Sequence, residues 1–220
     1  MRAGIRESVR WRARRISVRI WQYASPLRSP STAGTRGLVP LSPLHVPALF
    51  AAARADEGMW RWLSTTPPGS PGEMASLVEQ RLAQAAAGES VVFAVVPHTT
   101  ERPSGWAAYI DVSVVDERVD IGWSWLDPAL WGSPVHLETH FMLVYYAFED
   151  LGFGRVQWRL DDLDVATQDA VSRIGGIREG VLRRHFRRID GSWRDTVYYS
   201  LVAAEWPAVR ERWMAGWILE

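Results

Sequence analysis

Residues 121–138 read IGWSWLDPALWGSPVHLE, and this stretch decides the fold. Three apolar side chains, Ile121, Trp123 and Trp125, alternate with small residues, as in a strand that buries one face. An Asp-Pro pair then breaks the alternation, and the apolar segment at 141–151 has helical spacing. The stretch therefore predicts a strand, a short turn and a helix start in immediate succession.

The turn between this strand and this helix predicts an anion site. Several backbone N–H groups point at one spot there, and the positive end of the helix dipole lies behind them. Pro134 has no N–H to offer, although proline is well tolerated in the first turn of a helix. An ordinary strand-to-helix turn is the alternative interpretation. The candidate donors are the amides of Gly132, Ser133, Val135, His136 and Leu137.

The rest of the chain predicts an α/β fold with a mixed, mostly antiparallel sheet of about seven strands flanked by helices. Before the central stretch come a strand at 37–41, a helix from Pro43 toward Met59, a helix at 73–87 and strands at 91–96 and 105–112. The central strand covers 119–126. After its helix come a strand at 155–160, a helix at 164–174, strands at 177–189 and 193–201, and a terminal helix.

Composition narrows the chemistry. The chain has 220 residues, enough for one well-filled core, and 47% of them are hydrophobic. It contains no Cys, which excludes disulfides, thiolate metal sites and a Cys nucleophile. All 25 basic residues are Arg, so Schiff-base chemistry through Lys is excluded as well. No apolar run approaches the ~18 residues of a membrane span, and a cytoplasmic protein is expected.

Charge divides the chain into two parts. Residues 1–33 carry eight Arg and one acidic residue, whereas residues 34–220 carry 17 Arg and 24 acidic residues. We expect 1–33 to be a basic, Arg-rich extension, most simply disordered, and 34–220 to be a single domain. A surface helix that binds acidic lipid or RNA, or a transit segment, is the alternative for the extension. Contact with RNA or the ribosome through this arm is one expectation.

Four stretches resemble the GCN5-related acetyltransferase (GNAT) superfamily, in particular its RimJ/RimL-like branch of ribosomal-protein N-terminal acetyltransferases. They are IGWSWLDPALWG (121–132), GRVQWRLDD (154–162), GGIREGVLRRH (175–185) and DGSWRDTVYYS (190–200). The resemblance implies transfer of an acetyl group from acetyl-CoA to a primary amine in a ternary complex, without a metal. The expected acceptor is a protein N-terminus or a small amine, and a monomer or a homodimer is expected. It also implies a gap between the strand ending near Leu126 and the strand starting near Gly154.

The resemblance further implies roles for individual residues. The Gly132 turn would bind the pyrophosphate of the coenzyme. Asp164 and Thr167 stand where relatives carry Asn and Ser that contact the pantetheine arm, and Thr167 would protonate the departing thiolate. Glu138 and Asp195 are the candidate bases for the incoming amine. Backbone N–H groups that would polarise the thioester carbonyl belong to Ser124, Trp125 and Leu126.

Three departures from the family pattern favour a second hypothesis. Pro134, Asp164 and Gln168 stand where relatives usually carry Gly, Asn and Arg, and all three fall at the coenzyme site. A degenerate acetyltransferase fold that serves as a binding or regulatory module, without turnover, would show such changes. Asp164 is equally a helix N-cap.

Two charged groups also have competing interpretations. The basic run 183–188 predicts either a solvated hairpin edge or a surface that steers an acidic substrate or a nucleotide phosphate. Asp195 would pair with this run or recognise a substrate amine.

His136 and His140 share a helix face, but Glu138 does not follow the first His as in the zinc-protease motif, so a metal site is not predicted.

Overall fold

A computed structural model describes residues 35–55, 57–63 and 65–216. The predictions for the basic arm, 1–33, lie outside these residues. Across the described part of the chain, no helix is both long and apolar enough to cross a membrane. The described residues form seven strands: β1 (Thr35–Pro40), β2 (Ser90–Pro97), β3 (Gly105–Ser113), β4 (Arg118–Leu126), β5 (Arg155–Asp161), β6 (Ile177–Arg187) and β7 (Trp193–Val202). The same residues form five α-helices: α1 (Val46–Ala53), α2 (Pro71–Ala86), α3 (Pro134–Tyr145), α4 (Val165–Arg173) and α5 (Trp206–Met214).

The strands form one sheet in the order β1-β2-β3-β4-β5-β7-β6. Neighbouring strands are antiparallel except for β4 and β5, which are parallel. Parallel neighbours need a long crossover, and α3 supplies it. The predicted mixed, mostly antiparallel sheet is therefore confirmed.

The first predicted helix is divided in the structure. A 3-10 turn at Pro43–His45 comes first, α1 then ends at Ala53, and a second 3-10 segment runs over Glu57–Trp62. Pro47 lies in the first turn of α1, where its missing N–H is not needed. The long helix predicted from Pro43 toward Met59 was wrong because apolar spacing continued across these breaks.

Each face of the sheet carries its own hydrophobic core. On one face, which we call the α3 face, Tyr109, Ile121 and Trp158 pack with buried residues of α3, α4 and α5. On the other, the α2 face, Trp106 and Trp125 pack with buried residues of α1 and α2. Successive residues of a regular strand point to opposite faces, so Ile121 and Trp125 would share a face. They lie on different faces because β4 is irregular between them, and the prediction that Ile121, Trp123 and Trp125 bury one face was wrong.

The parallel strands β4 and β5 separate halfway along their length. Their pairing runs from Arg118 opposite Arg155 to Ile121 opposite Trp158 and then stops. Residues 122–126 of β4 are therefore not paired with β5. This is the gap that the resemblance implied.

A β-bulge lies where the strands part. Trp106 of β3 pairs with Trp125, and Ala108 pairs with Gly122, so β4 has one extra residue between these pairs. Trp123 takes up the irregularity with a φ of +49°, a rare conformation for a bulky residue. Its carbonyl accepts a hydrogen bond from Trp106 Nε1 at 2.8 Å. The bulge ends the regular ladder and redirects the last residues of β4.

Candidate active site

A cavity of about 440 Å³ occupies the gap between β4 and β5. Side chains from both cores line it, so the cavity passes through the sheet from the α3 face to the α2 face. Two reactants can therefore approach one point from opposite sides. From the α3 face the lining includes Leu126, His136, Thr139, His140 and Thr167, and from the α2 face Trp62, Leu63, Trp106 and Trp125.

The predicted anion turn lies at the start of α3. Gly132 has a φ of +70°, which glycine adopts without strain. Its N–H donates to His136 Nδ1 at 3.3 Å, and the N–H of Ser133 donates to the carbonyl of Leu130 at 3.1 Å. Within the described residues, the Val135 N–H has no acceptor of its own.

The remaining two candidate amides belong to the first turn of α3. His136 and Leu137 both donate to the carbonyl of Ser133, at 3.0 and 3.3 Å. An anion at this turn would therefore meet the free Val135 N–H first. It would gain the Gly132 N–H only by displacing the ring of His136.

His136 and His140 are buried side by side on α3, with ring centroids 5.3 Å apart. Burial lowers the pKa of His136 to about 4 and that of His140 to about 3, where the neighbouring His136 contributes too. Both rings are therefore neutral at pH 7. Trp158 Nε1 donates to His140 Nδ1 at 3.3 Å, so both rings accept at Nδ1 and carry their proton on Nε2.

The N-terminus of α4 reaches the cavity through Asp164 and Thr167. Asp164 caps the helix, since its Oδ1 accepts the Thr167 N–H at 3.2 Å. Burial raises the pKa of Asp164, while hydrogen bonds from Thr167 oppose the shift. The Gln168 side chain binds backbone instead: its Nε2 donates to the carbonyls of Asp161 and Asp162, both at 3.0 Å.

The two predicted bases do not line the cavity. Glu138 is fully buried on α3, and Asp195 lies on β7, where its Oδ1 accepts the Arg184 N–H at 2.6 Å. Asp195 thus contacts the backbone of the basic run, and within the described residues it forms no ion pair with an arginine side chain of that run. The predicted thioester donors, by contrast, are in the cavity wall: Ser124, Trp125 and Leu126.

The carboxylate at the floor of the cavity is Asp120, which sequence reasoning missed. Its side chain is only 1% exposed and contacts the Nε of Arg159, with Arg118 Nη1 at 3.8 Å. Burial raises its pKa, although Arg159 counteracts part of the shift. Asp111, on the neighbouring strand, pairs with Arg118 at 2.8 Å and lies 3.8 Å from Arg159.

A second ion-pair cluster borders the cavity at the end of β5. Arg188 donates hydrogen bonds from its Nε and Nη2 to the two carboxylate oxygens of buried Asp161, each at 2.7 Å. Its Nη2 also donates to Asp162 Oδ1 at 3.0 Å. Burial alone would raise the pKa of Asp161, but the bonds from Arg188 and the Leu163 N–H hold it below the usual value. Arg194 joins this cluster and lines the cavity.

The comparisons with known proteins agree with this architecture. Residues 36–177 match the family model described as an acetyltransferase (GNAT) domain. No curated protein sequence matches the chain. A GCN5-related N-acetyltransferase from Brucella melitensis is 26% identical, covers 90% of each chain and superimposes with a TM-score of 0.76.

Two more distant structures share the fold. RimJ from Mycobacterium smegmatis, solved with CoA-disulfide, is 21% identical, with coverage of 87% of this chain and 93% of that one and a TM-score of 0.73. RimL, a ribosomal L7/L12 alpha-N-protein acetyltransferase solved with coenzyme A, is 16% identical, with coverage of 81% and 98% and a TM-score of 0.70. The family match spans more than half of the chain, and the protein therefore belongs to the GNAT family of acetyltransferases.

Proposed function

We propose that the protein transfers the acetyl group of acetyl-CoA to a primary amine by direct attack inside the cavity that crosses the sheet. The observation that carries this proposal is the cavity itself, which is lined from both faces of the sheet where β4 and β5 part. A thioester entering from the α3 face and an amine entering from the α2 face would meet without a covalent enzyme intermediate. Such an arrangement works by orientation and charge stabilisation.

The cavity and the turn beside it suit the two ends of acetyl-CoA. At the Gly132 turn, which adjoins the cavity through Trp131 and His136, the Val135 N–H and the positive end of the α3 dipole favour a phosphate. Ser124, Trp125 and Leu126, beyond the bulge, offer backbone amides near the thioester carbonyl. The Thr167 hydroxyl is the donor for the departing thiolate, since Thr167 lines the cavity on the same face.

Asp120 replaces Glu138 and Asp195 as the base for the incoming amine. It lies in the cavity wall, and its raised pKa makes the carboxylate a better proton acceptor than a solvated Asp. In the reaction the amine nitrogen bonds the acetyl carbon and the carbon–sulfur bond breaks. Asp120 takes the amine proton and then releases it to water, while Thr167 supplies a proton to sulfur and takes one from water in its place.

A titration with acetyl-CoA tests the proposal at its first step. A ligand that binds only the folded protein stabilises it by about 2.7 kcal/mol at a hundredfold excess over Kd, so the melting temperature must rise. Acetylation of a panel of primary amines then separates the enzyme from a binding module without turnover. An unchanged melting temperature at saturating acetyl-CoA would overturn both readings of the coenzyme site.

Replacing Pro134 by Gly is expected to tighten acetyl-CoA binding. The change adds a backbone N–H at the turn, and a hydrogen bond to a charged group contributes about 1.5–3 kcal/mol. If the flexibility of glycine in the helix offsets up to about 1 kcal/mol of this, the net gain of about 0.5–2 kcal/mol corresponds to about two- to thirtyfold in Kd. Isothermal calorimetry measures this gain directly.

Pro207→Gly is the matched control for this measurement. Pro207 occupies the first turn of α5, as Pro134 does in α3; neither proline lines the cavity, but only Pro134 lies in the turn that would bind the pyrophosphate. Its replacement is expected to leave acetyl-CoA affinity unchanged. Equal or weaker binding by the Pro134→Gly protein would remove the pyrophosphate from the Gly132 turn.

A further inference from the structure

The outer hairpin of the sheet, β6 and β7, contains a second irregularity. Leu182 pairs with Thr196 and Phe186 pairs with Arg194, so β6 has two extra residues between these pairs. Arg184 takes a φ of +53°, and its N–H is held by Asp195 Oδ1 at 2.6 Å. We call residues 183–187 the arginine bulge.

The arginine bulge carries three arginines without an ion-pair partner in the part of the chain that the structure describes. Arg183, Arg184 and Arg187 are exposed, and within the described residues none of them forms an ion pair. Elsewhere in the sheet, arginines such as Arg155 and Arg188 are paired with carboxylates. The patch is thus positive on a part of the chain, 34–220, in which acidic residues outnumber arginines.

Packing draws two of these cations together. The guanidinium carbon of Arg184 lies 4.3 Å from the centroid of the Trp193 ring, and that of Arg187 lies 4.7 Å from it. Two like charges beside one ring repel each other, and a bound anion relieves that repulsion. Leu182 and Trp193 are also 46% and 41% exposed, so the patch combines positive charge with apolar surface.

The arginine bulge adjoins the cavity. Phe186, which lies within it, lines the cavity, and so does Arg194, its partner on β7. An extended peptide advances ~3.3 Å per residue, so a chain with its amino end in the cavity would bring its next few side chains past the bulge. The surface is therefore within reach of a polypeptide acceptor.

We propose that the arginine bulge is a docking surface for an acidic segment that follows the amino terminus of a protein acceptor. This inference rests on the proposed function, because it names the substrate class of the same site. The commitment to an acidic peptide follows from charge complementarity with three unpaired arginines and from the adjoining cavity. Exposed apolar side chains beside the arginines give the peptide additional contact area.

Two peptide probes test the inference. Both have a free amino terminus and a carboxy-terminal fluorescein; one carries acidic residues at its third to fifth positions, and the other carries Asn or Gln there. Fluorescence anisotropy without acetyl-CoA is expected to show about tenfold tighter binding of the acidic probe at low salt, with the preference shrinking as salt rises. Acetylation rates of the two probes with acetyl-CoA are expected to follow the same order.

The double variant Arg183→Gln, Arg187→Gln removes two of the three charges and leaves Arg184, whose N–H is held by Asp195, in place. This protein is expected to lose most of the preference for the acidic probe. Arg178→Gln is the matched control, because Arg178 is exposed on the same strand but outside the bulge, and it should keep the preference.

Three results would overturn the inference. They are equal affinity of the native protein for both probes, a loss of preference in the Arg178→Gln protein as large as in the double variant, and a selective loss of acetyl-CoA affinity in the double variant. The last would assign the arginines to coenzyme phosphate. If the acidic preference persists in binding while no acetyl group is transferred, the docking surface stands and the proposed function fails.

Discussion

Replacing Asp120 by Asn lowers kcat for acetyl transfer by about 10²–10⁴-fold, the usual contribution of a positioned general base. Asn keeps the shape of the carboxylate but cannot take the amine proton. Acetyl-CoA affinity should stay unchanged, because Asp120 faces the amine side of the cavity with Arg159. Steady-state rates over a range of amine concentrations, together with calorimetry, measure both effects.

Two controls separate proton transfer from structural damage. Asp111 also lines the cavity and also contacts Arg118 and Arg159, but it is 45% exposed, and Asp111→Asn should lower kcat far less. Asp120→Asn leaves the Arg159 guanidinium without its buried partner, which destabilises a protein. The double variant with Arg159→Gln removes that charge, and it should recover stability without recovering kcat. A loss below about threefold in Asp120→Asn would assign proton removal to another group or to water.

The free energy of unfolding is expected to fall by about 4 kcal/mol between pH 7 and pH 5 on account of His136 and His140 alone. Their folded pKa values, about 4 and about 3, lie below the 6.5 of an unfolded His. The unfolded chain therefore binds more protons, and stability is lost as the pH drops through 6.5 toward 4. Each histidine contributes about 2 kcal/mol over this interval, from 1.36 kcal/mol per pH unit.

Urea denaturation at several pH values measures this slope, and a variant isolates its origin. The double variant His136→Gln, His140→Asn has neither titrating ring. Between pH 7 and pH 5 its free energy of unfolding should therefore fall by about 4 kcal/mol less than that of the native protein. His45→Gln is a control, since burial lowers the pKa of this half-buried His45 as well but its ring lies outside the cavity. Parallel curves for the native protein and the double variant would contradict the assignment.

The sequence predicted the strands well where alternation was clear. In β7, Val197, Tyr199 and Leu201 face one core in alternate positions, and that local pattern survives in the structure, whereas in β4 it breaks between Ile121 and Trp125. The register of the strands could not be predicted from the sequence, because the extra residue in β4 is recognisable only from how β4 pairs with β3. The gap itself followed from the family resemblance.

The predicted bases missed the cavity for two physical reasons. Ten consecutive residues of α3, from Val135 to Val144, are buried, so periodicity could not tell which side of the helix faces the cavity. Asp120 looked like any polar residue on the outer side of a strand. Only the separation of β4 and β5, set by tertiary pairing, turns this position into the floor of a cleft.

Different parts of the chain form the two sides of the cavity that crosses the sheet. One opening is built by α3 and α4, and the other by the segment around Trp62 and the hairpin that carries Phe186. The family match ends at residue 177, before most of that hairpin. Evolution could therefore change the residues at the second opening to fit new acceptors while the first opening continues to bind the same acetyl donor. One fold could then serve many acceptors with the same chemistry.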